Sequence, residues 1–244
     1  MIDCLGTGIE NEKQIRNALN GKEYDELNAN LQKLISGSFL NYAGIIVCDE
    51  QAGTNKSDII ITIGNESHTY SIKCGSSNSV HQEKIEDFIE FFELNHSITD
   101  QQKNELRLFI WGDKTLDGTG LIDDRLTVYQ FKEIYSNAFE NIYNFFKTVK
   151  EPLIRRLLIN GGALSDSHAE FVYYGNSTDG ICCNTEDILQ WMMNKEKKAI
   201  TVGNFTFQAW NRNINGGDKS EHKRGDIQFK WASIEKDLKD IRGE

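Results

Sequence analysis

Residues 56–73, KSDIIITIGNESHTYSIK, hold an aspartate and a lysine in a setting where the two could act together. Gly64-Asn65-Glu66-Ser67 is a turn signal between two β-rich runs. A hairpin centred on Asn65-Glu66 sets Asp58 opposite Lys73, Ile60 opposite Ser71 and Thr62 opposite Thr69. Strand alternation puts these six on one face and Ile59, Ile61, Ile63, Tyr70 and Ile72 on the other, which is a core face. The chemistry open to such a pair is cation binding by the carboxylate and proton handling by the amine. The plainer alternative is a cross-strand ion pair worth about 0.2–1 kcal/mol. A third group comes from the N-terminal helix, where Glu12 shares the inward face of Ile15 and Leu19. A carboxylate on an apolar helix face needs a partner. It finds one either in the helix's own first turn or in a metal ion shared with Asp58.

The elements that would position these residues follow from periodicity. Helices are predicted over 9–20, with Ile15, Ala18 and Leu19 on one face, and over 24–35, with Tyr24, Leu27, Leu31, Leu34 and Ile35 at helical spacing. Strands are predicted over 43–48, 58–63 and 69–74. A small polar loop after Lys73 leads into a helix over 82–94. Its inward residues are Ile85, Phe88, Ile89 and Phe92, and its acidic face carries Glu83, Glu86, Asp87, Glu90 and Glu93. Residues 105–111 suit a buried strand or a short helix. Residues 112–125 form a Gly- and Asp-rich loop without the spacing of a calcium site. A helix over 128–149 should end before Pro152, the only proline. The last third alternates: a strand at 169–174, a helix at 186–194 capped by Thr185, strands near 200–209 and 226–232, and a helix after Ser233. Such mixing predicts an α/β or α+β class over a single domain, 1–244. A boundary could fall near 150–160, or the β-rich tail could complete the same sheet.

Composition narrows the classes. The 244 residues are 39% hydrophobic and 26% charged, enough to bury a real core. Mean hydropathy is −0.51, and no apolar run approaches a spanning helix, so no membrane role is expected. The N-terminus lacks a basic head followed by an apolar stretch. Five scattered cysteines, an odd number with no CxxC, argue against a zinc site and a disulfide framework and point to a reducing, cytoplasmic setting. Net charge is −10, yet local charge decides docking.

On Asn11-Glu12-Lys13, Ser57-Asp58 and Ser71-Ile72-Lys73 the chain resembles the PD-(D/E)xK nuclease superfamily, in particular small type II restriction endonucleases. The stretches His81-Gln82-Glu83, Thr206-Phe207-Gln208 and Ile227-Gln228-Phe229-Lys230 are also similar to members of that group. The likeness covers a catalytic core over about 9–95 and, more weakly, a recognition part within about 160–244. It implies a restriction-endonuclease-like fold, a central mixed sheet flanked by helices. It implies a partner, double-stranded DNA, and a cofactor, one or two Mg2+ ions. Asp58 would bridge to the metal, with Glu12 and the Ile72 carbonyl as further ligands. Lys73 would orient or deprotonate the attacking water. Ser71 departs from the pattern, since the family usually has Glu or Asp there. Glu12 or Glu83 would then compensate, or the site would bind metal weakly, or not cut. A sequence-specific endonuclease is the first expectation. A less specific repair or phage-defence nuclease and an inactive DNA-binding module are the alternatives. A homodimer is among the arrangements this allows.

A second stretch, 203–232, carries Arg212, Lys219, Lys223, Arg224 and Lys230 against Asp218, Glu221 and Asp226, so five cations face three anions in an otherwise acidic chain. Its loop is rich in side chains that read purine edges or hold phosphates. The candidate DNA contacts are Gln208, Trp210, Asn211, Arg212, Asn213, Lys219, His222, Lys223, Arg224 and Gln228, joined by His81 and Gln82. An ordinary solvated hairpin loop is the plainer alternative.

Overall fold

The computed structural model describes all residues except 1, 5, 52, 54, 77, 163, 164, 166, 198 and 211–221. β1 (Ile46–Glu50), β2 (Ile59–Ile63), β3 (Glu66–Lys73), β5 (Phe171–Gly175) and β6 (Gly180–Asn184) form one sheet in the order β1-β2-β3-β5-β6. β4 (Ser79–Lys84), β9 (Asp226–Lys230), β8 (Phe205–Ala209) and β7 (Thr201–Val202) form a second sheet in the order β4-β9-β8-β7. The chain divides into two units that interleave along the sequence. Met1–Asn78, Arg155–Asn194 and Trp231–Glu244 make the first, and Ser79–Ile154 with Lys195–Lys230 the second.

In the first unit the sheet is mixed. β3 and β5 run parallel, with Tyr70 beside Phe171, while the other neighbours are antiparallel. Helix α1 (Gly8–Leu19) starts at a capping box, where Glu10 N donates to Thr7 Oγ1 and Thr7 N to Glu10 Oε2. Helix α2 (Ala29–Ser36) is capped by Asn28. Ile15 and Leu19 of α1 and Leu31, Leu34 and Ile35 of α2 share a core with Ile59, Ile61, Ile63, Tyr70 and Ile72. The strand faces are therefore as expected, but the register is not. Ile59 pairs with Tyr70 and Ile60 with Thr69, a slip of two residues from the predicted pairing. Gly64 takes the left-handed φ of +60° that a two-residue turn requires, so the turn is Gly64-Asn65 rather than Asn65-Glu66. A slip of two preserves every side chain's face, whereas a slip of one would invert them all.

The second unit packs one face of its sheet on aromatic rings. Phe207 lies with its ring centroid 5.0 Å from those of Phe146 and Phe229 and 5.5 Å from that of Phe109. Phe88 of helix α3 (Ile85–Asn95) stacks on Phe207. Helices α4 (Asp100–Trp111), α5 (Val128–Ile134) and α6 (Ser136–Thr148) complete this unit with the start of α7 (Lys150–Arg155).

Several boundaries differ from the expectation for identifiable reasons. Residues 79–84 form a strand, so the helix begins at Ile85 and His81, Gln82 and Glu83 precede it. Residues 105–111 are the end of α4, whose start is a capping box of Thr99 and Gln102. The 128–149 helix is broken at Tyr135, and Pro152 sits in the first turn of α7, where a missing N–H costs nothing. Helix α8 (Thr185–Met193) is capped by Asn184, while Thr185 donates to Ala169 O and Glu170 O. Helix α9 (Ile234–Arg242) follows Ser233 as expected. The odd cysteine count conceals one disulfide, Cys4–Cys74, with Cα atoms 5.3 Å apart; Cys48, Cys182 and Cys183 are free. Among the described residues no helix is long and apolar enough to cross a membrane.

Candidate active site

Asp58 is fixed at the mouth of the β2–β3 hairpin by its backbone. Its N–H donates to Tyr70 O at 2.8 Å, and its carbonyl accepts from Gln51 N at 2.9 Å. The residues before it are held as well: Lys56 N donates to Ser165 Oγ at 3.0 Å, and Ser57 Oγ meets Ser167 Oγ at 2.8 Å. The carboxylate is then used unequally. Oδ2 accepts from Ile72 N at 2.6 Å, Ser71 Oγ at 3.2 Å and Lys73 Nζ at 3.2 Å. Among the described residues no donor lies within hydrogen-bond distance of Oδ1. One oxygen thus locks the side chain, and the other takes no hydrogen bond from a described residue. Lys73 Nζ also donates to Ile72 O at 2.8 Å. Asp58 lies just before β2, and both Ser71 and Lys73 of β3 reach its Oδ2.

Glu12 lines one small cleft with Arg16, Glu50, Asp58, Ile9 and Ile59. Burial, then the negative charges of Asp58 and Glu50, push its carboxyl up to about 7, with Lys73 opposing. This is how a half-buried carboxyl behaves where acids converge. Glu50 is paired with Arg16, whose Nη1 lies 2.6 Å from its Oε2. Sequence reasoning missed Glu50; the signal was its place at the end of β1, beside Ile59 and thus next to Asp58. It also passed over Lys56, a buried amine pulled down to about 7 by burial and then by Lys73, with Asp58 opposing.

Among the described residues no group of three or more His, Cys, Asp or Glu is gathered tightly enough to hold a metal unaided. The donor set nonetheless suits a hard cation that keeps most of its waters and takes one or two carboxylates, as Mg2+ does. The observations that fit are the unbonded Asp58 Oδ1 and the raised Glu12 carboxyl.

The predicted DNA contacts fall into three groups. Asn211, Arg212, Asn213 and Lys219 lie outside the described residues. Gln82, Gln228 and Gln208 stand side by side on β4, β9 and β8, with Trp210 and Lys223 near them and Lys223 Nζ 5.9 Å from the Trp210 ring. His222 lies in the turn that precedes β9, where its carbonyl accepts from Lys84 Nζ. Two expectations are corrected. His81 points into the second unit's core, where its Nε2 is 2.8 Å from Glu83 Oε1 and both side chains are buried. Glu83 is thereby committed to His81 and is not the compensating carboxylate. Arg224 is drawn inward too: its Nη2 donates to the fully buried Asp113 Oδ2 at 2.6 Å and to Gly120 O, over the Trp111 ring. A guanidinium so engaged has a structural task inside the unit, and the 112–125 loop exists in part to supply its partner.

No family model matches this chain, and no curated protein matches it. Among solved structures it is similar to the crystal structure of restriction endonuclease MspI in complex with its cognate DNA. The superposition covers 90% of this chain and 87% of that one, with a TM-score of 0.56 and 15% sequence identity. At that identity the likeness is one of fold. The architecture is a mixed α/β fold of the restriction-endonuclease kind.

Proposed function

We propose that the protein is a Mg2+-dependent endonuclease that hydrolyses phosphodiester bonds in double-stranded DNA at a specific sequence. The observation that carries this is the divided carboxylate of Asp58, one oxygen locked by three donors including Lys73 and the other left open. The fold supports it, because its solved counterpart is a nuclease bound to DNA. Asp58 Oδ1 and Glu12 would hold the metal, with the Ile72 carbonyl as a further donor once Lys73 turns from it toward substrate. Bound there, Mg2+ would polarise the phosphate and lower the pKa of a coordinated water. Lys73 would orient the attacking water and balance the charge that builds on the phosphate. Hydrolysis joins the water oxygen to phosphorus and breaks one phosphorus–ester bond, and the departing oxygen ends protonated. Ser71, which carries no charge, serves by fixing Asp58.

A second reading, a DNA-binding module that does not cut, is favoured by that same Ser71, whose hydroxyl is spent on Asp58. Incubating plasmid with the protein and Mg2+ separates them. Discrete fragments support a specific nuclease and a smear a general one. Intact plasmid with a gel shift supports the module.

A further inference from the structure

The three glutamines nominated singly by the sequence form one continuous row across three strands. Gln82 of β4 is paired with Gln228 of β9, and Gln228 with Gln208 of β8. Strands lie about 4.8 Å apart, so the row is roughly 10 Å long, close to the roughly 12 Å width of a DNA major groove. Alternation assigns the other face to Phe207, Phe229, Ile227 and Ala209, all buried in the aromatic core. The glutamine face carries Lys84 and Lys230 against Asp226, with Lys223 beside them, an excess of cations in a chain of net charge −10. Gln82, Thr206 and Lys84 are exposed, Gln208 is half-buried, and Gln228 at the centre is 7% exposed. The face is therefore open at its flanks and ordered at its middle.

Its hydrogen bonding is directional. Gln208 Nε2 donates to Gln228 Oε1 at 3.1 Å, which consumes one of its two N–H groups. What Gln208 has left is one N–H and its carbonyl, one donor and one acceptor of the same planar amide. That is the complement of adenine, which offers an acceptor at N7 and a donor at N6 in the major groove. Guanine offers two acceptors there and would need two donors, which a tied amide cannot give. The amide's own pattern favours adenine over guanine, and the hydrogen bond to Gln228 holds that pattern in one orientation.

We infer that Gln208, held by Gln228, reads an adenine in the major groove of the DNA, with Gln228 as its positioning residue. This rests on the nuclease reading above. The sheet would enter the groove as β-ribbon readers do, and Lys84, Lys223 and Lys230 would meet the flanking phosphates.

The test begins with the wild-type chain: its cleavage sites on plasmid are mapped, and binding is then titrated with Mg2+ withheld. At one adenine of the recognition sequence, replacement by 7-deazaadenine should weaken binding roughly tenfold to a hundredfold. Gln208→Met should erase that sensitivity and accept all four pairs at that position. Gln228→Leu should leave the Gln208 amide untethered, so binding to the adenine site weakens and its preference over guanine at that position falls, while other positions of the site keep theirs. A purely structural amide ladder would not give that one-base change. A recognition sequence without an A·T pair, guanine preferred by the wild type at the Gln208-sensitive position, or unchanged specificity in Gln208→Met would each overturn the inference and leave the nuclease standing. A wild-type chain that neither binds nor cuts duplex DNA would remove both.

Discussion

The two sheets use the same alternation for opposite ends. In the first unit, β2 and β3 turn their inner face to isoleucines and Tyr70 and gather Asp58, Ser71 and Lys73 on the other, with Glu12 brought in from α1. In the second, β8 and β9 turn their inner face to phenylalanines and present amides on the other. Two groups beside the charged face are desolvated and leave their ordinary ranges: Glu12 rises and Lys56 falls, both to about 7. The amide row is itself neutral and fixes direction instead of charge. Charge held out of water favours reaction, because bound cations and phosphates are attracted there and protons can move near neutral pH. Neutral amides held in register favour discrimination, because their pattern of donors and acceptors does not change with pH.

The sharpest break in this contrast is at Asp58 and Lys73. Asp58→Ala or Lys73→Ala should lower the cleavage rate by about two to four orders of magnitude while thermal unfolding stays cooperative. Near wild-type cutting by either variant would remove the site. The second unit should break differently. Phe207→Ala, in the middle of the ring cluster, should cost about 3–5 kcal/mol of stability by denaturant unfolding. Arg224→Ala should also act on stability, by about 3 kcal/mol, because it strands the buried Asp113 carboxylate. Adding Asp113→Asn to it should recover much of the loss. A weaker affinity for DNA at unchanged stability would return Arg224 to the interface.

A finer effect lies in pH. A carboxyl whose folded pKa is raised favours folding below its ordinary range, and that contribution is lost as pH rises through the raised value. Without divalent metal the wild type should therefore lose stability as pH climbs from about 4.5 through about 7, and Glu12→Gln should not. Glu12 must also shed its proton to bind a cation. The Mg2+ concentration needed for half-maximal cutting should fall as pH passes about 7, and Glu12→Gln should flatten that dependence and need more Mg2+ throughout. Identical curves for both proteins would make Glu12 a structural carboxylate. The smallest change concerns Lys223, which is half-exposed and near Asp226. Lys223→Ala should reduce the slope of log affinity against log salt by about one unit on all duplexes alike.

Period-two strand patterns survive even-numbered slips, so the faces of the β2–β3 hairpin were legible from sequence although its register was not. α1 was legible because Ile15, Leu19 and a capping box agree. β4 was hidden because its inward positions are His81 and Glu83, which lie against each other and look polar in a sequence. The glutamine row was legible one residue at a time, since the pairing of β4 with β9 joins Gln82 to Gln228 from distant parts of the sequence. Glu50 and Lys56 were missed for a similar reason. Their importance comes from burial beside Asp58, which no local pattern records. Cys4 and Cys74 likewise meet only through the fold.

The most direct test of the central claim sets the wild type and Asp58→Ala side by side on supercoiled plasmid, with and without Mg2+. The wild type should yield discrete fragments only with Mg2+, and Asp58→Ala should leave the plasmid intact while still shifting a DNA fragment on a gel. Fragments of equal intensity from both proteins, or from the wild type without any divalent metal, would contradict a metal-dependent nuclease centred on Asp58.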